Sequence, residues 1–258
     1  MNGPFEPHPR VDVLGVQISA INLEQAIETV SGWIGNGDSR YVCVTGVHGV
    51  MESQKDHRLM SIHNASGMTT PDGMPMVWAS RWAGVRDTER VYGPQLMLQV
   101  CERAAQEGWR SFFYGGKPGV AHRLAESLQG RYPGLEVGGT YSPPFRELTR
   151  EEDEEVVRRI NESGSHLVWV GLSTPKQERW MAAHLGRVAA NVMLGVGAAF
   201  DINSGIVAQA PRFVQRAGLE WLFRLVQEPR RLWRRYLRNN PAFVAKILRR
   251  PPRLVRGG

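Results

Sequence analysis

Residues 166–184 read HLVWVGLSTPKQERWMAAH: an apolar run ending in Gly171, a Ser-Thr-Pro turn, then a helix-forming segment. The run is too short for a helix and rich in Val and Trp, so it reads as a buried strand. Thr174 stands as an N-cap, Pro175 as the first helical residue and Gln177 three places after the cap, so strand passes directly into helix. The same pattern recurs on either side. Short apolar runs at 41–44, 111–114, 135–141 and 191–196 alternate with helical patterns at 94–107, 118–131 and 149–162, the last opened by the capping-box pair Thr149 and Glu152. This repetition predicts an α/β fold: a Rossmann-like, mainly parallel sheet with helices on both faces. In such sheets ligands bind where strands end and helices begin.

Three strand exits carry residues suited to phosphate or sugar. At the first, beyond Gly171, Thr174 begins a helix whose Gln177 either caps its own N-terminus or joins Lys176 in holding a diphosphate. At the second, Gly115 and Gly116 open a Gly-Gly-Lys-Pro-Gly segment that is either a tight turn or a close backbone approach to phosphate. It is not the GxGxxG fingerprint of dinucleotide sites. At the third, Gly195, Gly197 and the small residues before Phe200 leave space for a flat group. Asp201 there is either a turn residue or an acceptor for a ribose hydroxyl or base N–H.

Thr69-Thr70-Pro71-Asp72-Gly73 is ordinary turn chemistry, yet it lies between a short polar strand and the apolar helix 74–82. Half buried at the sheet edge, Asp72 would have a raised pKa and could act as a general base, with Thr45 at the exit of 41–44 bonding the same substrate. Arg90 is a body cation available to a leaving diphosphate. No Asp-x-Asp follows a strand and no His-Glu-x-x-His occurs, so neither a metal nor a cofactor is expected.

The 258 residues carry a net charge of +7, distributed very unevenly. Residues 212–258 hold 13 of the 32 Lys and Arg and 2 of the 25 Asp and Glu, an excess of +11 that leaves the preceding residues at −4. This divides the chain into a core of residues 1–211 and a basic amphipathic appendage of residues 212–258. On a helix, Arg230, Arg231, Arg234, Arg235 and Arg238 share one face while Leu232, Trp233, Tyr236 and Leu237 fill the other. Stripes at Leu219, Leu222, Phe223 and Val226, and at Phe243, Val244, Ile247 and Leu248, flank it. Pro229, Pro241 and Pro251-Pro252 are expected to cut the appendage into short helices. The stripes either pack on the core or lie on an anionic membrane surface, a role that suits an apolar face opposite a cationic one. Unbound, they could instead pair subunits into a homo-oligomer. Deletion after Pro211 is expected to leave a more soluble, inactive body. The start of the chain has no apolar signal core and no run approaches a spanning length, while Cys43 and Cys101 imply neither a disulfide framework nor a zinc site.

Taken in order, Thr70-Pro71-Asp72-Gly73, Arg90-Val91-Tyr92-Gly93, Tyr114-Gly115-Gly116, the run from Gly171 to Glu178, the run from Gly195 to Asp201 and the run from Gly218 to Leu225 resemble the WecG/TagA/CpsF glycosyltransferase family. The resemblance extends from about Val11 to Phe243. It implies a bacterial, metal-independent, inverting enzyme that moves a sugar from a UDP-sugar to an undecaprenyl-diphosphate-linked saccharide. Members work peripherally at the cytoplasmic face of the cell membrane, in teichoic acid or other surface polysaccharide synthesis. It further implies Asp72 as catalytic base, Thr45 as a positioning residue, Arg90 and Gln177 as donor contacts, and Arg224, Arg231 and Arg234 as appendage residues that approach the site. Gly46-Val47-His48 departs from members that carry Asn there, leaving open the acceptor and the sugar, N-acetylmannosamine, a uronic acid or a related hexose, with His48 as the replacement contact.

Two other functional classes fit parts of the sequence. A nucleic-acid-binding protein would use the basic appendage on phosphates, but the apolar stripes and the lack of any recognition motif disfavour it, and no nucleic-acid partner is expected. A nucleotide-dependent oxidoreductase would need a better glycine fingerprint than 115–119.

Overall fold

The computed structural model describes residues 8–255. In chain order its elements are β1 (Arg10–Val13), β2 (Val16–Ser19), α1 (Leu23–Asn36), β3 (Arg40–Thr45), α2 (Val47–Ser53), α3 (His57–Ala65), β4 (Met68–Pro71), α4 (Met74–Trp82), α5 (Gly93–Glu107) and β5 (Ser111–Gly115). There follow α6 (Val120–Arg131), β6 (Val137–Tyr141), α7 (Arg150–Glu162), β7 (Leu167–Gly171), α8 (Lys176–His184), β8 (Val192–Gly195), α9 (Ala199–Asn203), α10 (Arg212–Arg216), α11 (Glu220–Gln227), α12 (Pro229–Arg249) and β9 (Arg253–Val255).

Six parallel strands form the main sheet in the order β4-β3-β8-β7-β5-β6. Alternation along the strands sends successive side chains to opposite faces. In β7, Leu167 and Trp169 join the core under α1, α5 and α6, whereas Val168 and Val170 join the core under α7 and α8. Both faces are therefore covered, which is why these runs read as continuously apolar. The predicted α/β architecture is the one observed. From β3 the chain steps outward to β4, and from β5 outward to β6 on the other side, so the strands between them end in a crevice.

A second sheet, antiparallel in the order β2-β1-β9, was not foreseen. Its hairpin turns through Leu14 and Gly15, both at positive φ (56° and 92°), as a two-residue turn of the right twist demands. Its third strand comes from the chain's far end, with Val11 opposite Leu254 and Asp12 opposite Arg253, and Arg250 donates to Asp12 at 3.1 Å. Phe243 and Ile247 of α12 lie in one cluster with Val11, Val13, Ile18, Met51 and Met76. The basic segment is thus fastened to the body at its end. Deletion after Pro211 would uncover this cluster, which weighs against a more soluble remnant.

Pro241 does not divide the segment. α12 runs for 21 residues across it. Proline removes the N–H that would reach the Leu237 carbonyl, but Leu237 is 67% exposed, so water can take that carbonyl and the helix continues. Pro229 occupies a first-turn position, where a missing N–H costs nothing. The apolar stripes divide between the two fates left open by the sequence. Leu232, Phe243 and Ile247 are buried on the body, whereas Leu222, Val226, Leu237 and Leu248 face outward. Among the described residues no helix is long and apolar enough to cross a membrane.

Candidate active site

The ends of β3, β4, β7 and β8 open into one cleft of about 1340 Å³, closed on its far side by α4, α11 and α12. Asp72 lines it. Parallel pairing sets Thr45 opposite Pro71, and the Asp72 N–H donates to the Thr45 carbonyl at 3.0 Å, so strand register alone brings the two predicted residues together. Gly46 makes this approach possible: a Cβ there would sit 2.6 Å from the Asp72 carbonyl oxygen. The Thr45 side chain is buried below the cleft surface, and its Oγ1 has no hydrogen-bond partner. Burial pushes the Asp72 carboxyl up to about 6. The nearby Glu220 carboxylate reinforces the shift, and the Arg90 and Arg224 guanidiniums oppose it. Such a group is ionised at neutral pH and close enough to its midpoint to accept a proton.

Arg90 is held on three sides. Its guanidinium lies 4.0 Å over the Tyr92 ring, donates to Gln215 Oε1 at 3.2 Å and pairs with the Glu220 carboxylate. The Tyr92 hydroxyl also bonds Glu220, and burial with that carboxylate raises its pKa. Glu220 and Gln215 were missed in the sequence. A signal existed for Glu220, one of two acids in a segment with 13 basic residues.

On the other side of the cleft the Gln177 amide is fixed. Nε2 donates to the Gly195 carbonyl and to Glu178 Oε1, each at 3.1 Å, while Oε1 is buried without a partner. The Thr174 hydroxyl donates to the same Glu178 oxygen at 2.8 Å. Thr174 is therefore not the N-cap: Pro175 holds that position, and no side chain caps α8. The fully buried Glu178 carboxylate takes both donors, because a charged acceptor out of water binds them more strongly than the helix end does. Gln177 does not cap its own helix, and its free oxygen points toward Gly197, 3.3 Å from where a Cβ would lie.

The remaining candidates separate by position. Gly116, Gly171, Lys176, Gly197 and Asp201 line the cleft with Gln177 and Thr174. Gly115 and Gly195 lie beneath it: added Cβ atoms would meet the Gly171 backbone and Met181 Cε, each at 2.6 Å, so these glycines allow close packing. Phe200 is 1% exposed and edge-on to Phe113 at 6.4 Å, with its ring against Gly171 as part of the floor.

His48 lines the wall and bridges to the appendage. Asn239 Nδ2 donates to His48 Nδ1 at 3.2 Å, and the ring also bonds the Thr174 backbone. Burial, followed by the nearby Arg235 charge, depresses its pKa to about 4, so the imidazole is neutral at pH 7.

Of the appendage arginines, Arg224 lines the cleft with its Nε buried and unpartnered. Arg234 is outside it, stacked 5.2 Å over the exposed Trp233 ring. The Arg231 side chain lies outside the described residues. Arg235, one position further on, faces the cleft instead. No cluster of three or more His, Cys, Asp or Glu side chains placed for a metal occurs among the described residues.

The model of the glycosyl transferase WecG/TagA/CpsF family matches residues 11–256. An N-acetylglucosaminyldiphosphoundecaprenol N-acetyl-beta-D-mannosaminyltransferase of Bacillus spizizenii is 31% identical over 198 residues, covering 77% of this chain and 74% of the relative. A Staphylococcus aureus protein of the same name is 27% identical over 240 residues, covering 92% of each chain.

Proposed function

The chain belongs to the WecG/TagA/CpsF family of glycosyl transferases, and from that membership and the cleft we propose that it transfers N-acetylmannosamine or a related hexose from a UDP-sugar to a polyprenyl-diphosphate-linked saccharide. The observation that carries the reading is the Asp72 carboxyl, raised to about 6 on the lining of a cleft that also carries Arg90, Arg224, Arg235 and Lys176. In the proposed step Asp72 takes the proton of an acceptor hydroxyl, and that oxygen forms a bond to C1 of the donor sugar from the face opposite the diphosphate. The C1–O bond to UDP breaks, its electron pair leaves with UDP, and the anomeric configuration inverts.

Charge building on the departing diphosphate needs cations rather than proton transfer. Arg224 and Lys176 line the cleft and are the residues we assign to it, with no metal required. Arg90 is engaged by Glu220 and Gln215, so its part is to orient the Asp72 neighbourhood until a phosphate competes with Glu220 for it. The unpartnered Gln177 Oε1 supplies an acceptor in a nearly dry wall, where an unmade bond costs about 1–3 kcal/mol, so a ligand hydroxyl or N–H would be held there; Thr45, below the cleft surface, acts through the backbone bond its carbonyl accepts from Asp72.

The same reading assigns residues 212–258 a place at the membrane surface that holds the lipid-linked acceptor, on its cytoplasmic face. The outward Leu222, Val226, Leu237 and Leu248 support it, as does the +11 excess; pairing of two copies through these residues would use the same apolar face. A UDP-release assay over a panel of UDP-sugars, with a short-chain polyprenyl-diphosphate saccharide as acceptor, tests the activity. One donor should release UDP only when acceptor is present and only with Asp72 intact. Absence of acceptor-dependent release across the panel would exclude the proposal.

A further inference from the structure

The cleft has a second, apolar end that the transfer step does not use. α4 begins just after Asp72 and Gly73 and runs away from the carboxyl, covering about 12 Å from Met74 to Trp82 at 1.5 Å per residue. Trp78 and Trp82, four residues apart on one face of it, line the cleft yet are 52% and 53% exposed. Two such rings side by side on one helix face form an exposed apolar patch of the kind that marks a ligand or interaction surface. Phe243, Val244 and Ile247 of α12 line the same cleft, and Phe243 and Ile247 share a cluster with Met76 and Ala79 of α4. The loop before α11 closes one side, its Gly218 seated against Trp78: a Cβ there would be 3.1 Å from Trp78 Cη2.

Arg224 and Arg235 also line the cleft, and both act, with Asp72, on the ionisation of Tyr236. The cleft therefore presents a carboxyl, guanidiniums and an aromatic and aliphatic surface. An acceptor saccharide on a polyprenyl diphosphate carries the complementary groups: a hydroxyl, two phosphates and a branched hydrocarbon. We propose that the trough between α4 and α12 is the binding site for the first isoprene units of the acceptor, with Trp78 and Trp82 as its floor. This rests on the glycosyl transfer proposed above and adds where the lipid lies. It also fixes direction: the acceptor enters past α4 and α12, while the nucleotide sugar takes the end lined by Gly171, Gln177 and Gly197.

The test uses the full chain and two acceptors with the same head group, a short-tailed one whose diphosphate ends in a methyl group and so cannot reach the trough, and one with a long polyprenyl tail in detergent micelles. Trp82→Ala and Trp78→Ala should each lower kcat/KM for the long-tailed acceptor by about fivefold or more, the order of one lost aromatic-aliphatic contact. The KM for donor and kcat on the short-tailed acceptor should hold. Trp82→Phe should restore most of the loss. If a tryptophan variant does not fold, Val244→Asp in α12, at a site 53% exposed, should give the same selective loss. Equal losses on both acceptors, or an unchanged long-to-short ratio, would overturn the proposal. So would a loss seen only on vesicles with the micelle ratio intact, because the tryptophans would then be a seat on the bilayer. Binding of the long- and short-tailed diphosphates, followed by intrinsic fluorescence, reads the trough directly. If wild-type protein transfers no sugar yet prefers the long tail through Trp78 and Trp82, the glycosyl-transfer reading fails and the trough stands.

Discussion

Replacing Asp72 by Asn should damage catalysis and strengthen the fold, and the two effects should separate with pH. The carboxyl's ordinary value of 3.8 rises to about 6 in the folded protein, chiefly through burial. That difference corresponds to about 3 kcal/mol of preference for the neutral acid. Because the folded value lies above the unfolded one, the native state holds this proton more tightly. The associated stability is fully present below about pH 4 and is lost as pH rises through about 6. Asn cannot ionise, is nearly isosteric, and removes the burden of a buried charge. Asp72→Asn should therefore match the wild type at pH 4 and exceed it at pH 8 by at most about 3 kcal/mol, an upper bound because the cleft admits solvent. For a chain of this size that is a Tm gain of up to about 6–12 °C, readable by scanning calorimetry from pH 4 to 8. Turnover, measured as UDP release, should fall about 10²- to 10⁴-fold, the usual contribution of a positioned base. The wild-type rate should follow the ionised fraction, declining roughly tenfold from pH 7 to pH 5. A variant that keeps its turnover, or whose Tm difference from wild type does not change with pH, would refute the assignment.

Other substitutions test the surroundings of Asp72. Glu220→Gln removes a carboxylate that raises the Asp72 pKa and releases Arg90, so the acidic limb of the pH-rate profile should move to lower pH; movement the other way would contradict the charge arrangement. Gly46→Ala places a Cβ 2.6 Å from the Asp72 carbonyl oxygen, and turnover should fall by about tenfold or more while circular dichroism stays native. His48, depressed to about 4, should show no protonation above pH 5 in NMR titration, and His48→Gln should leave the position of the acidic limb unchanged while altering KM.

Much of the site was legible because parallel α/β sheets tie function to strand exits. Asp72, Gly171, Gln177 and Gly197 could be proposed from local sequence, since each lies at or just past a strand end where a helix begins. Local sequence could not separate glycines that face ligand from glycines that face protein. Gly116 lines the cleft while its neighbour Gly115 presses on the Gly171 backbone, and only strand pairing distinguishes them. It also misassigned the start of α8, where Thr174 satisfies the capping pattern but its hydroxyl is drawn to Glu178, a residue whose burial no periodicity reveals.

The basic segment was hardest to read, because its two halves obey different constraints. Its excess of positive charge marks it as separate in composition, yet Arg253–Val255 pairs with β1, more than 240 residues away in sequence. No local pattern encodes a contact of that separation. The consequence is mechanical. With β9 fastened to β1 and with Phe243 and Ile247 buried, the end of α12 is fixed to the body, while α11 has no buried residue. Any response to lipid or nucleotide should therefore arise in the stretch between Pro211 and Pro229, which carries Gln215, Glu220 and Arg224. Gln215 and Glu220 engage Arg90, and Glu220 and Arg224 act on Asp72, so the least anchored part of the appendage is also a part that sets the charge around the candidate base.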